Sequence, residues 1–200
     1  MIVNLRSFKQ KVRYNAKQLK SFLTKLEKKT PKHLDQLTQK MDKLVWKEVD
    51  CLSCANCCKT MSPTFNTADI KRISKHFEMT PAAFKEKWLV FDKKDKDWLN
   101  QSQPCQFLDM KTNGCSIYDI RPADCAGFPH LTKRKMTEYM HVHKQNVELC
   151  PATYKMVEKM KQHLGQKYTS SKKLNSQLLF SFLNIAITSN CKYFHWGFWY

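Results

Sequence analysis

Cys51-Leu52-Ser53-Cys54-Ala55-Asn56-Cys57-Cys58 puts four thiols into eight residues, and its reading governs the rest of the chain. Two residues between cysteines let one tight turn aim both sulfurs at a common ion, so this spacing recurs in zinc and iron–sulfur sites. A third cysteine at the same interval shifts weight toward a cluster. Cys58 breaks the rhythm. Adjacent side chains usually diverge, so Cys57 and Cys58 are expected to serve different ions, or one of them to stand behind the ligands. Four more cysteines follow, each beside a turn-former: Pro104–Cys105, Gly114–Cys115, Cys125 shortly after Arg121–Pro122, and Cys150–Pro151. A lone cysteine is most often a small buried hydrophobe. Eight of them, four in one window, point to metal.

Compartment follows from the same residues. Met1–Leu5 is briefly apolar, but Arg6, Lys9, Lys11 and Arg13 interrupt any secretory hydrophobic region. The acid-free start faintly resembles a transit peptide, yet lysine outnumbers arginine there and serine is scarce. The cytoplasm is therefore the expected location, and in a reducing compartment clustered cysteines hold metal more often than they form disulfides. The apolar run Leu178–Ile187 is too short to span a bilayer, which needs about 20 residues. No transmembrane segment is expected.

The formal charge is +18, and eight thiolates around two dications would lower it only to +14. Residues 1–47 hold 13 Lys and Arg against Glu27, Asp35 and Asp42, which is more than half the excess. Such a surface attracts nucleic acid, acidic proteins or anionic lipid without choosing among them, and also serves simply as a solvated face.

Apolar residues at Leu5, Phe8, Val12, Leu19, Phe22, Leu23 and Leu26, then at Leu34, Leu37, Met41, Leu44 and Val45, repeat at helical spacing. They predict a basic helical hairpin over 1–49, its second helix opened by Thr30–Pro31. Thr67 and Thr80–Pro81 open two more helices, with a charged turn at Asp92–Asp97. Pro104–Leu108 and Cys115–Tyr118 flank a loop ending in Asn113–Gly114, which predicts a short β-hairpin with a ligand on each arm. Arg121–Pro122 starts a short helical turn, and Pro151 a helix reaching Leu164 with Gly165 as its stop. The expected fold is α+β and mostly helical, with a metal-organised domain over 50–165. Residues 166–200 form a linker and an apolar, aromatic tail whose status the sequence leaves open; it also carries Cys191.

Taken in order, the eight-residue run, Pro104-Cys105-Gln106-Phe107-Leu108, Gly114-Cys115-Ser116-Ile117-Tyr118-Asp119-Ile120-Arg121-Pro122-Ala123-Asp124-Cys125-Ala126-Gly127-Phe128-Pro129 and Cys150–Pro151 resemble the YkgJ-type cysteine-cluster family. The resemblance spans 51–151 and implies a bacterial protein with a zinc- or iron-chelating domain. Flagellin lysine N-methylases share this signature, so the resemblance also implies protein modification as an analogy. The chain departs at Ala126, where arginine is common in the family. The candidate metal ligands are Cys51, Cys54, Cys57, Cys58, Cys105, Cys115, Cys125 and Cys150. Cys51, Cys54 and Cys57 match a bacterial ferredoxin run, whose remote fourth ligand precedes proline as Cys150 does. Cys58, Cys105, Cys115 and Cys125 would then form a second four-sulfur site, suited to zinc.

Other groups are secondary. His141 and His143 flank Val142 in what reads as an extended segment, with both imidazoles on one face; His130 is a candidate neighbour of the site. Arg121 is expected to shape the loop carrying Cys125. No glycine-rich phosphate loop, HExxH motif or serine nucleophile motif is present, so no catalytic residue is assigned and the reading leans away from an enzyme. Three classes stand: a metal-binding protein holding zinc, iron or a [4Fe–4S] cluster, an iron–sulfur oxidoreductase or protein-modifying enzyme, and a basic adaptor for nucleic acid or an acidic protein. Lys133-Arg134-Lys135 adds to the last.

Overall fold

The computed structural model describes residues 3–132 and 135–165. Lys133, Arg134 and the segment 166–200, with the linker, apolar run, aromatic tail and Cys191, lie outside the described residues. The chain divides into two units, Met1–Met160 and Lys161–Tyr200.

Helix α1 (Leu5–Lys28) begins at Asn4, whose side chain accepts the Ser7 N–H, and buries Phe8, Ala16, Leu19, Leu23 and Leu26 on one face. α2 (Leu34–Val45) follows. The predicted cap at Thr30 does not form, because Thr30 Oγ1 donates back to the Leu26 carbonyl and α2 starts only after His33. The apolar face of α1 packs on α8 (Met140–Leu149) and on α9, a helix over residues 151–165. Phe8 meets Tyr154 edge-on at 5.8 Å, and Asn15 Nδ2 donates to the Tyr154 hydroxyl at 2.9 Å. Lys20–Glu148 and Lys144–Glu27 pairs border this seam.

The cysteine run forms two helical turns, α3 (Cys51–Cys54) and α4 (Asn56–Thr60), joined by Ala55 in the left-handed region at φ 45°. Next comes an antiparallel sheet in the order β1 (Thr64–Phe65), β3 (Asp97–Asn100), β2 (Leu89–Asp92). Val90 pairs with Leu99 and Phe91 with Trp98 across the turn at 92–97. α5 (Thr67–His76) carries a full capping box, in which Asn66 accepts the Asp69 N–H and Asp69 accepts the Asn66 N–H. α6 (Pro81–Trp88) opens as expected, with Thr80 Oγ1 accepting the Ala83 N–H. Short turns at Tyr118–Ile120 and Met136–Tyr139 and helix α7 (Ala123–Gly127) complete the order. The fold is α+β and mostly helical. Among the described residues no helix is long and apolar enough to cross a membrane.

A compact aromatic core decides where the site sits. Phe65, Ile70, Ile73, Phe84, Leu89, Phe107 and Ile117 are buried together, with Cys105 and Cys115 packed against them. Phe107 stacks nearly parallel to Phe84 and Phe77. Phe107 and Ile117 belong to the predicted hairpin, which reduces to a single bridge between Leu108 and Cys115. Its two arms are thus anchored by side chains more than by a ladder.

Candidate metal centre

Each distant cysteine is tied to the 51–64 segment by its own hydrogen bond. The Cys105 N–H donates to the Cys58 carbonyl at 2.8 Å. Beside Cys115, Asn113 accepts from Lys59 Nζ at 2.6 Å and donates to the Ser53 carbonyl at 3.2 Å. Asp124 Oδ2, next to Cys125, accepts the Thr64 N–H at 3.1 Å. Buried Asn56 donates to the Leu149 carbonyl at 2.6 Å, just before Cys150. Chain segments up to 93 residues apart are thereby drawn to one place without help from the sulfurs.

All eight cysteines of the 51–150 region are free thiols. Cys51, Cys57, Cys58, Cys105, Cys115 and Cys125 line one cavity of about 360 Å³. Cys51, Cys54, Cys57 and Cys150 line a smaller one of about 20 Å³, which shares Ala55 with the first. Cys57 and Cys58 do not diverge as expected: their sulfurs stand 3.9 Å apart. Consecutive residues on a helix are rotated by about 100°, not the 180° of a strand, so both can reach the same space. The 3.9 Å separation is close to the roughly 3.8 Å between two sulfurs of one tetrahedral zinc site, and the same closeness sets ligands of two adjoining centres side by side. Elsewhere the sulfurs face shared space without meeting. Among the described residues, no three Cys, His, Asp or Glu side chains are gathered in one coordination sphere.

The surroundings fit thiolate ligands. Burial raises the pKa of Cys51, Cys54, Cys105, Cys115 and Cys125 and brings Cys150 up to about 11. Cys57 and Cys58 share one proton: the hydrogen bond between them pushes the Cys57 thiol up and brings Cys58 down to about 7. Opposing burial, backbone N–H groups two residues on point at four sulfurs: Asn56 at Cys54, Phe107 at Cys105, Ile117 at Cys115 and Ala152 at Cys150. Asn100 Nδ2 and Thr153 Oγ1 are buried donors that complete no hydrogen bond among the described residues. They face Cys105 and Cys150, where they favour the ionised sulfur. Orphaned donors aimed at sulfur are explained by a thiolate, which a bound cation would hold in place. Lys59 acts in the same direction on Cys54 and Cys58, and Arg121 on Cys51 and Cys115.

The remaining candidates separate. Arg121 stacks on Tyr118, with its guanidinium carbon 3.9 Å from the ring centroid, and donates to the Tyr118 carbonyl. His130 lies behind the larger cavity, where its Nε2 meets Asp124 Oδ1 at 2.9 Å. The extended segment expected at His141–His143 is instead helix α8, so the two imidazoles point about 160° apart. His141 is exposed and His143 fully buried.

A clamp that no local sequence pattern announces steadies Cys125. The Asp69 carboxylate, 1% exposed, accepts the Ala123 N–H at 3.1 Å and the Arg72 guanidinium at 2.7 Å. Arg72 in turn donates to the Arg121 carbonyl at 2.9 Å. Asp69→Ala leaves these donors unpaired and is expected to cost about 2 kcal/mol. It should also speed alkylation of Cys125, measured by peptide mass spectrometry. An unchanged melting curve and alkylation rate would remove Asp69 from this role.

The described residues thus form a mostly helical domain with two adjoining thiol-lined cavities. The chain belongs to the family defined by the CxxCxxCC signature, described as "Putative zinc- or iron-chelating domain", whose model matches residues 50–151. No solved structure matches the chain.

Proposed function

We propose that this protein holds two thiolate-bound metal centres. Cys51, Cys54, Cys57 and Cys150 serve one, and Cys58, Cys105, Cys115 and Cys125 the other. The observation that carries this reading is the cavity lining. The smaller cavity is lined by the four cysteines of the first set and by no other cysteine, and the larger by all four of the second together with Cys51 and Cys57, which border both. The second set suits zinc, while the first, with its ferredoxin-like spacing, suits zinc or a [4Fe–4S] cluster. When bound, either group supplies a folding cross-link, and a cluster also supplies an electron site. The residues around it neutralise thiolate charge through Lys59, Arg121 and backbone N–H groups. Eight free thiols point to a reducing compartment such as the cytoplasm.

Purification without oxygen, followed by metal and acid-labile sulfide analysis, tests the proposal. Two zinc ions per chain, or one zinc with four irons and four sulfides, is the expected content. One zinc with no labile sulfide, or no metal at all, overturns it. Loss of the first centre alone in Cys150→Ser, and of the second alone in Cys125→Ser, is the matching expectation for the assignment of ligands.

A further inference from the structure

The metal centres leave the charge of the amino-terminal helix unexplained. Arg6, Lys9, Arg13 and Lys17 are exposed on α1, and at about 100° per residue they fall within an arc of roughly 80°. None makes an ion pair among the described residues. The acids at the α1–α8 seam are already engaged, Glu148 with Lys20 and Glu27 with Lys144. The four cations therefore stand unneutralised along about 17 Å of helix axis.

We propose that this face of α1 binds the phosphate backbone of a nucleic-acid duplex. A duplex carries one phosphate charge per roughly 1.7 Å of axis, both strands counted, so a stripe laid along it has about ten phosphates alongside, distributed round the two strands and sufficient to engage four cations. Two of the four are arginines, whose forked donors match phosphate oxygens. The other polyanions fit less well. A membrane-surface helix needs an apolar face to insert, and here Leu19, Leu23 and Leu26 are committed to the protein interior. An acidic protein surface needs apolar anchors at the centre of its interface, and the four cations enclose none. Backbone contacts of this kind carry charge recognition without base readout, so binding is independent of sequence.

Fluorescence anisotropy of the metal-loaded full chain with a short labelled duplex, across a salt series, tests the proposal. Four contacts give a log–log salt slope of about −3.6. In Arg6→Gln/Arg13→Gln/Lys17→Gln the slope should become shallower by about 2.7, with at least roughly tenfold weaker binding near 0.1 M salt. The control Lys40→Gln/Lys43→Gln/Lys47→Gln removes the same charge from exposed sites on and just after α2 and should leave the slope steep. Equal losses in both triple variants, no duplex binding by the parent, or tighter binding to vesicles of phosphatidylserine and phosphatidylcholine (roughly 3:7) would overturn the proposal. Metal content stays unchanged in both variants, so failure here is separable from failure of the thiolate centres.

Discussion

Removing the metal should unfold the middle of this molecule while the α1–α8 seam outlasts it. The four ties that gather the cysteine segments are single hydrogen bonds or pairs, worth about 1 kcal/mol each once exchange with water is counted. Together these five bonds supply on the order of 5 kcal/mol. The segment between Gln101 and Ile117 has one isolated bridge and no helix, so little regular backbone structure adds to this. A structural zinc supplies on the order of 10–16 kcal/mol, as large as the whole stability of a typical domain, about 5–15 kcal/mol. Metal binding therefore outweighs the hydrogen bonds in holding these segments together.

Treatment with a strong chelator is expected to raise amide exchange across residues 50–131 and to lower the melting temperature by tens of degrees. Cys54→Ser should reproduce much of this, because Cys54 is buried and a serine oxygen is a poor ligand where thiolate is required. The Phe84–Phe107 core keeps part of the sheet together, so protection at β2 and β3 should fade last. Thermal melting that is identical with and without chelator, and in Cys54→Ser, would refute metal as the organiser.

The cysteines were legible in sequence because their spacing reports local geometry directly. Thr80–Pro81 was legible for the same reason, since cap and proline act within one turn. The small sheet was harder. Leu89 reads equally as the end of the α6 stripe, and Val90 and Phe91 become a strand only because Trp98 and Leu99 lie opposite. Alternation around Val142 suggested an extended segment, but Met136, Met140, His143 and Val147 are all buried at a helical interval, and that longer pattern prevails. The Asp69 clamp and the Asn56 tie join residues 54 and 93 positions apart. Such partners leave no trace in local pattern. Asp69 did carry a partial signal, because Asn66 three positions earlier spells a capping box, but its second role toward Ala123 needs the tertiary fold.

Acid should destabilise this protein through a residue outside the thiol centre. His143 on α8 is fully buried, and neither ring nitrogen has a hydrogen-bond partner among the described residues. Burial lowers its pKa to about 4, and the neighbouring His130 and His141 push in the same direction. The other ring nearby is Tyr139, with centroids 6.5 Å apart, which offers no negative charge to offset a proton. The unfolded chain takes up that proton near pH 6.5, whereas the native state refuses it until about pH 4. Native stability is therefore complete above pH 6.5, declines between 6.5 and 4, and is constant below. At 1.36 kcal/mol per pKa unit the full loss is about 3 kcal/mol, of which about 2 kcal/mol has gone by pH 5. His143→Phe keeps an aromatic ring in the site and abolishes this loss, whatever it costs at neutral pH. Acid also weakens thiolate–metal binding, but equally in both proteins, so the difference between their urea stabilities isolates the imidazole. Comparing pH 7.5 with pH 5.0, the parent should lose about 2 kcal/mol more than the variant. Equal losses would mean that His143 is protonated in the native state, and that its apolar setting does not keep the charge out.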